Sequence, residues 1–303
     1  MGERTQWKYF KSHTPTCGFG ISRYQIDNDL KNIALASNVA VYEKCKVDEV
    51  NFIEGAFSIH SSSGNFSSII CCGSFGKRSN LDIKWKRDFI HHKNNKLSNY
   101  VGIKYHIKTA FFDDTIALHN FKDGYCGISK IEGDKYCLCY LTNAFNLANN
   151  NNSVQELEQY VLKQNPHLKN ILENSELLFK TPLSISQISF NKKSQVHEHI
   201  LLLGDAAGMI TPLCGNGMSM ALHSSKIASG YIHQFLLNKI SRQQLEAKYK
   251  SEWKKTFSKR LFTGRLIQQL FGRLWITNLF ILVMKLFPFL TKQLIRQTHG
   301  KPF

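Results

Sequence analysis

A glycine-rich turn near position 210 constrains the fold of this chain more than any other part of its sequence. The run 200–203 is fully apolar and is followed at once by Gly204 and Asp205, and 215–217 then lead into a helix-forming stretch that begins at Met218. A continuous apolar run is typical of a strand that is buried on both faces of an α/β sheet. Because ligands bind at the carboxyl ends of such strands, the turn is a predicted ligand site.

The residue types in this turn indicate the chemistry of the ligand. A carboxylate at Asp205 can accept hydrogen bonds from sugar-like hydroxyl groups, while Ala206, Ala207 and Gly208 keep the adjoining surface shallow enough for a bulky ring system. The start of the following helix directs free N–H groups and the positive end of its dipole toward the same place. A strand-to-helix turn without any ligand is the structural alternative.

The turn resembles the signature of a known family. The residues 204–208, Pro212 and 215–218 read Gly-Asp-Ala-Ala-Gly, Pro and Gly-Asn-Gly-Met. They are similar to the FAD-dependent oxidoreductases with the p-hydroxybenzoate hydroxylase-like fold, especially the geranylgeranyl-reductase-like branch. In that family the aspartate binds the flavin ribityl chain and the helix start faces the isoalloxazine ring. The resemblance implies nine FAD-binding residues here: Arg23, Gly204, Asp205, Ala206, Pro212, Gly215, Asn216, Gly217 and Met218.

Two weaker matches precede the turn in the family's order. Residues 20–30 are similar to a family helix whose arginine contacts FAD, which is the basis for including Arg23. Residues 73–79 look like a Gly-Ala-Asp-Gly-x-x-Ser segment near the FAD pyrophosphate. Phe75 replaces the aspartate of that segment. NAD(P)H is a reductant of the family, and this replacement leaves its interaction with the chain an open expectation.

The family's opening strand–GxGxxG–helix unit, which cradles the FAD pyrophosphate, has no counterpart in this sequence. Residues 18–20 supply only a Gly-Phe-Gly, and no strand-like run precedes them. We therefore expect either an N-terminally truncated product or a separate chain that supplies this unit. FAD would lack its adenosine-side anchor in this chain alone.

The resemblance and the sequence patterns together imply an α/β (α+β) fold. We expect an incomplete FAD/NAD(P)-binding Rossmann-like domain at 1–80 and 180–240, an inserted antiparallel β-sheet substrate domain at 81–180, and a basic C-terminal helical segment at 241–303. Alternation and turn residues predict helices and strands within these regions. Helices are predicted at 24–37 and 154–174 and from about 217 onward; strands are predicted at 39–45, 47–53, 56–60, 67–72, 100–110, 115–120, 125–131, 136–141, 184–190 and 199–203.

The positive charge of the chain is concentrated at its C-terminal end. Residues 251–303 contain ten lysines and arginines and one acidic residue, Glu252, so that about half of the net charge of +17 lies there. Such a surface attracts anions, including lipid headgroups, an acidic partner or nucleic acid. The apolar run 279–284 is too short to span a bilayer. It is compatible with a helix on a membrane surface or with a helix packed on the protein core, and nucleic acid is the less favoured partner.

The eight cysteines lie mostly in apolar runs and form no CxxC pair, which indicates a reduced, cytoplasmic protein. The His197/His199 and His91/His92 pairs have no further ligand at metal-binding spacing, so we expect no metal site.

The predicted function is an FAD-dependent oxidoreductase, a reductase or monooxygenase, acting on a hydrophobic or aromatic substrate. The substrate site would lie between the second β-rich block and the C-terminal helices, where Tyr125 and Cys126 either line a pocket or serve ordinary strand packing. No residue of the sequence is identified as a general acid or base, since a flavin carries out the redox step itself. The alternatives are a non-catalytic flavoprotein remnant or partner-binding fragment, and a basic binder of membrane surfaces or nucleic acid.

Overall fold

Three sheets and a series of C-terminal helices make up the fold of this chain. The computed structural model describes residues 19–91, 99–212, 215–270, 274–299 and 303. Within them, two sheets are antiparallel and a third, of three strands, contains a parallel pair. This mixture of sheets and helices confirms the predicted α/β (α+β) class.

Helix α1 (Arg23–Ala36) confirms the helix predicted at 24–37. Its N-cap is Ser22, whose Oγ accepts a hydrogen bond from the backbone N of Gln25 at 3.1 Å. The backbone N–H of Ser22 donates to Glu132 Oε2 at 2.7 Å. In a complete capping box that N–H would bind the Gln25 side chain. The start of α1 is therefore held to the later β-rich part of the chain.

The first sheet is a meander of three antiparallel strands. They are β1 (Val47–Ile53), β2 (Ala56–Ser61) and β3 (Gly64–Ser68), in the order β1-β2-β3. The predicted strands at 47–53 and 56–60 are confirmed. Val50 and Phe57 face inward and join the core that supports the predicted ligand turn.

Two strand predictions around this sheet are wrong. Residues 39–45 form an irregular segment with a turn, although they include β-branched valines; Lys44 adopts a left-handed φ of 55°, which a strand does not tolerate. The strand predicted at 67–72 is interrupted after Ser68. The Ser68 hydroxyl bonds to the backbone of Ile70, so the chain turns before the next strand begins.

The second sheet is small and carries the predicted ligand turn. Its strands are β4 (Cys72–Gly73), β11 (Val196–His197) and β12 (Ile200–Leu202). Strand β12 runs parallel to β4 and antiparallel to β11, and all of its residues are buried, as its apolar sequence predicts. Two short helices, α2 (Asn80–Lys84) and α3 (Asp88–His91), follow β4.

The third sheet has six strands and confirms the second predicted β-rich block. The order is β10-β5-β8-β7-β6, and β9 pairs with β5 beside β10. The strands are β5 (Tyr100–Lys108), β6 (Ala117–Phe121), β7 (Gly124–Lys130), β8 (Tyr136–Asn143), β9 (Glu176–Leu177) and β10 (Leu183–Ile188). Alternate residues of β5 and β8 are buried in a core of their own.

The long helix predicted at 154–174 is divided. After α4 (Ala144–Ala148), the chain forms α5 (Val154–Tyr160), a 3-10 turn and then α6 (Pro166–Glu173). Pro166 has no N–H to continue a helix, and it restricts Asn165 to an extended conformation (φ −84°, ψ 116°). Asn165 then caps α6, so the interruption serves as a new helix start.

Within the described residues, four helices follow the ligand turn, where the sequence predicts helix from about 217 onward. They are α7 (Gly217–Leu236), α8 (Arg242–Leu270), α9 (Leu274–Leu286) and α10 (Pro288–His299). Helix α8 packs into the same core as β12 and α7, through buried residues that include Tyr249, whose hydroxyl donates to the Leu202 carbonyl at 2.6 Å. Among the described helices, none combines the length and apolarity that crossing a membrane requires.

Candidate functional site

Directly after β12 the chain passes through Gly204, whose backbone adopts the left-handed conformation. Gly204 has φ +54°, and a Cβ added to it would lie 3.1 Å from the Cβ of Ala221 in α7. The Gly204 N–H donates to Ser224 Oγ at 3.0 Å, which fastens the turn to α7. Glycine is therefore required at 204 for its backbone conformation and for the close approach of the helix.

Each of the next three carbonyl groups of the turn accepts a hydrogen bond from a side chain that lies outside the turn. Lys193 Nζ donates to the carbonyl of Asp205 at 2.8 Å, and both terminal nitrogens of Arg87 donate to the carbonyl of Ala206 at 3.1 Å. Gln195 Nε2 donates to the carbonyl of Ala207 at 3.2 Å. These contacts fix the backbone of the turn from one side.

The Asp205 carboxylate differs from these carbonyls because nothing in the described part of the chain donates a hydrogen bond to it. Burial raises its pKa above the ordinary value, while the charges of Lys193 and Arg23 act to lower it. A desolvated carboxylate with free lone pairs is suited to bind hydroxyl donors of a ligand.

The start of α7 faces open space. Gly215 has φ +65°, and its N–H donates to the carbonyl of Pro212 at 2.9 Å. A Cβ added at Gly215 or Gly217 would meet nothing within 4 Å. Asn216 does not cap α7 with its side chain; its amide donates to the carbonyl of Thr298 in α10. The first N–H groups of α7 are thus left without a side-chain cap.

The remaining predicted residues take different positions. Ala206 is fully buried under the turn, and Met218, in the first turn of α7, is half-buried. Arg23 is exposed and pairs with Asp27 one helical turn later, at 2.9 Å. The structure therefore brings the predicted residues 204–206 and 215–218 to one end of the small sheet. Leu213 and Cys214, which lie between them, are outside the described residues.

The segment 73–79 lies beside the turn, because β4 is the parallel neighbour of β12. Phe75, which replaces the family's aspartate, packs against Trp85 with ring centroids 6.0 Å apart and joins the core around β12. Ser79 caps α2. The aromatic ring at Phe75 thus has a packing role in this chain.

Residues that support the turn were not identified from the sequence. Asp82 and Arg87 form a buried ion pair at 2.6 Å, and Arg87 is the residue that reaches the Ala206 carbonyl. Lys193 is nine-tenths buried, and burial lowers its pKa to about 8. More than a hundred positions separate Arg87 and Ala206, and no local pattern in the sequence marks their contact.

The two candidate substrate residues are both buried. Cys126 is fully enclosed in the core of the large sheet, and burial raises the pKa of its thiol well above the ordinary value. Tyr125 packs with Ile188 and Phe190 in a small separate core, and its hydroxyl bonds to Gln268 of α8 at 3.3 Å. Both side chains serve strand packing in this structure.

Comparison with known sequences gives distant relatives. No family model matches the chain. A protein of Methanocaldococcus jannaschii, named as uncharacterized, is 29% identical over 114 residues, which are 37% of this chain and 28% of that protein. Conditioned medium factor receptor 1 of Dictyostelium discoideum is 27% identical over 176 residues, 56% of this chain and 33% of that protein. The chain thus matches about a third of the length of these curated relatives.

Comparison with solved structures defines the fold. The flavin-dependent brominase Bmp2 superposes with a TM-score of 0.72 at 18% identity, covering 92% of this chain and 70% of that one. Klebsiella pneumoniae HpxO, solved with FAD and uric acid, superposes with a TM-score of 0.71 at 12% identity, covering 91% and 71%. The chain therefore shares its fold with these flavin-dependent proteins. The neighbours include halogenases and monooxygenases, and they do not single out geranylgeranyl reductases.

Proposed function

We propose that this chain is an FAD-dependent oxidoreductase, a reductase or monooxygenase, whose flavin is held by the turn 204–218. The observation that carries this proposal is the Asp205 carboxylate, which is desolvated and accepts no hydrogen bond from the described residues. It lies at the carboxyl end of a parallel strand pair, where this type of fold binds its ligands. The fold neighbours that bind FAD support the same reading.

The residues of the turn fit the flavin part of FAD. Asp205 would accept hydrogen bonds from ribityl hydroxyl groups. The open space at Gly215 and Gly217 would leave room for the isoalloxazine ring, and the uncapped start of α7 would stabilise negative charge on its N1/C2 edge. When bound, FAD accepts a hydride and passes reducing equivalents to a substrate or to oxygen. The role of this chain is to bind, orient and shield that group.

We further propose a hydrophobic or aromatic substrate and NAD(P)H as the reductant. The family resemblance supports both the substrate class and the reductant. The replacement of the family's aspartate by Phe75 concerns the binding of NAD(P)H. In the structure, Phe75 lies in the core beside β4, so a carboxylate contact with a nicotinamide cofactor is not available at this position. A reductant would have to bind through other residues.

The proposal is tested by flavin binding to the purified chain. Equilibrium dialysis would compare FAD with riboflavin, which has the ribityl chain and the ring but no adenosine. Because the proposed site residues would contact only that part, we expect riboflavin to bind within about tenfold of FAD, a difference of about 1.4 kcal/mol. NAD(P)H oxidation is then measured with the flavin-loaded protein. Absence of both flavin binding and NAD(P)H oxidation would favour a non-catalytic remnant.

We propose a second property, contact of α9 with an anionic membrane surface. Trp275, Leu279, Leu282 and Leu286 are all exposed, and their spacing places them on one face of α9. The surrounding segment is strongly basic, as described for 251–303. An apolar helix face within a basic segment is the pattern of a helix that lies in the membrane interface.

Vesicle sedimentation tests this second proposal. We expect binding to vesicles that contain phosphatidylserine, little binding to pure phosphatidylcholine, and weakening by salt. Leu282→Ser should reduce the bound fraction, whereas Leu236→Ser, which changes an exposed leucine at the end of α7, should not. Equal binding by the two variants would contradict a role for α9.

A further inference from the structure

A cavity lies behind the turn that begins at Gly204, on the side from which Arg87 and Lys193 support that turn. It has a volume of about 170 Å³ and is formed by the segment between α2 and α3 together with the residues that lead into β11. Its walls include Trp85, Arg87, Phe89, Lys193 and His197. Since a water molecule occupies roughly 30 Å³ of liquid, the cavity has room for a small ion and a few waters.

The lining of this cavity is positively charged. Lys86, Arg87, Lys192 and Lys193 contribute cations, and Asp88 is the one carboxylate among the described lining residues. Asp82 neutralises Arg87 from behind, through the ion pair described above. An excess of positive charge in a partly enclosed space raises the local concentration of anions.

Two buried nitrogen atoms of the lining have no hydrogen-bond partner among the residues that the structure describes. They are Arg87 Nε and His197 Nε2. Arg87 is only 4% exposed, and its terminal nitrogens already bind Asp82, Ser194 and the Ala206 carbonyl, so Nε is its remaining donor. A buried donor without a partner is unfavourable, and an acceptor within the cavity would relieve that penalty.

Aromatic contacts hold the cationic groups in place. Arg87 lies over the ring of Phe89 at 5.1 Å and Lys193 lies over the same ring at 4.4 Å. The ring of His197 packs on Trp85 with centroids 4.8 Å apart. Because these side chains are already ordered, a ligand would meet them without a large loss of side-chain entropy.

We propose that this cavity is a binding site for a small oxyanion, a phosphate or carboxylate group, which accepts hydrogen bonds from Arg87 Nε and His197 Nε2. The site is separate from the flavin side of the turn and requires no flavin. Arg87 and Lys193 connect the two, because they also hold the carbonyls of Ala206 and Asp205. Planar guanidinium and neighbouring ammonium groups are the usual partners of such anions in proteins.

Calorimetric titration of the full chain with inorganic phosphate, and separately with acetate, at ionic strength kept constant with chloride, tests this site. We expect saturable binding of at least one of them. His197→Phe keeps the packing on Trp85 and removes Nε2, and it should weaken binding about tenfold, the effect of losing one hydrogen bond to a charged group. Binding of phosphate alone or of acetate alone would identify which group the site prefers.

His106 supplies a matched control. Its Nε2 is also buried, with no hydrogen-bond partner in the described part of the chain, and its ring packs on Phe179 with centroids 5.0 Å apart. His106 lies in the large sheet, however. His106→Phe should leave anion binding unchanged. Equal weakening by both variants, or no saturable binding of either anion, would overturn the proposal.

A measurement on the unaltered protein covers the case in which a variant does not fold. Burial lowers the pKa of His197, and a bound anion would raise it again. The ring resonances of His197, followed by NMR as pH is varied, should therefore shift to a higher pKa on addition of the binding anion. The ring resonances of His106 should give the same pKa with and without the anion. Identical titrations of His197 with and without the anion would contradict the site.

Discussion

Replacing Asp205 by asparagine should have opposite effects on protein stability and on flavin binding. In the free protein the carboxylate is desolvated and receives no hydrogen bond from the described residues, so that its pKa is raised. An acid with a raised folded-state pKa makes the protein less stable as pH rises above the unfolded value of 3.8. We therefore expect Asp205→Asn to be at least as stable as the unaltered protein at neutral pH, and less dependent on pH.

In the flavin complex the same substitution should be unfavourable. A hydrogen bond to a charged group contributes about 1.5–3 kcal/mol, against about 1 kcal/mol for a neutral pair. An asparagine oxygen still accepts from a ribityl hydroxyl, so the loss is the difference between the two, roughly 0.5–2 kcal/mol for each bond. With two such bonds, the dissociation constant for riboflavin should rise by roughly 5- to 800-fold.

Two measurements on the same samples test this reasoning. Urea unfolding at several pH values gives stability, and quenching of riboflavin fluorescence gives affinity. Asp134→Asn, at an exposed position in the turn between β7 and β8, is the matched control and should alter neither quantity. Unchanged riboflavin affinity in Asp205→Asn would refute the assignment of this carboxylate to the ribityl chain. A marked loss of stability would show that the carboxylate has a structural partner.

Four further substitutions probe the turn, its supports and the packing around them. Gly208→Ala should destabilise the fold by about 1–3 kcal/mol in urea unfolding, because its Cβ would lie 2.7 Å from the Trp253 ring. Gly230→Ala, a helix position with open space, should instead add about 0.5–1 kcal/mol, and the reverse order would contradict the packing. Burial lowers the pKa of Lys193 from 10.5 to about 8, so unfolding free energy should rise with pH between those values, and Lys193→Met should abolish that rise. Asn216→Ala removes the contact with α10 and should speed amide exchange in that helix, while equal rates would exclude a role in docking it.

Local sequence patterns were sufficient where each element depends on its own residues. Strand β1 has the predicted bounds, and the apolar run before Gly204 forms the predicted buried strand. The errors arose where one interaction overrode the pattern. The hydroxyl of Ser68 bonds to the backbone of Ile70 and ends a predicted strand. Pro166 divides a predicted helix, although the apolar spacing continues across this proline. At 39–45, β-branched residues alone did not make a strand, because β propensity acts through packing against neighbours.

The support of the ligand turn could not be predicted because it comes from contacts between distant positions. Arg87 reaches the turn across 119 positions, and Lys193 contacts both Lys77 and Asp205. The sequence shows these residues only as members of a basic chain. In the structure both residues are buried, and each donates hydrogen bonds to defined acceptors. The predicted residues form the turn itself. The cations, which the sequence did not predict, hold the backbone carbonyls of that turn.

The distribution of hydrogen bonds in the turn argues that Asp205 serves an external partner. Lys193 Nζ lies close enough to lower the pKa of this carboxylate, yet its hydrogen bond goes to the backbone carbonyl of the same residue. A turn selected only for stability would place the ammonium group on this half-buried carboxylate, since a partly desolvated charge without a partner is unfavourable. Instead the carbonyls of 205–207 are held by side chains, and none of the described residues donates a hydrogen bond to the carboxylate. Departures from local consistency of this kind are expected at functional sites, where a ligand supplies the missing contact.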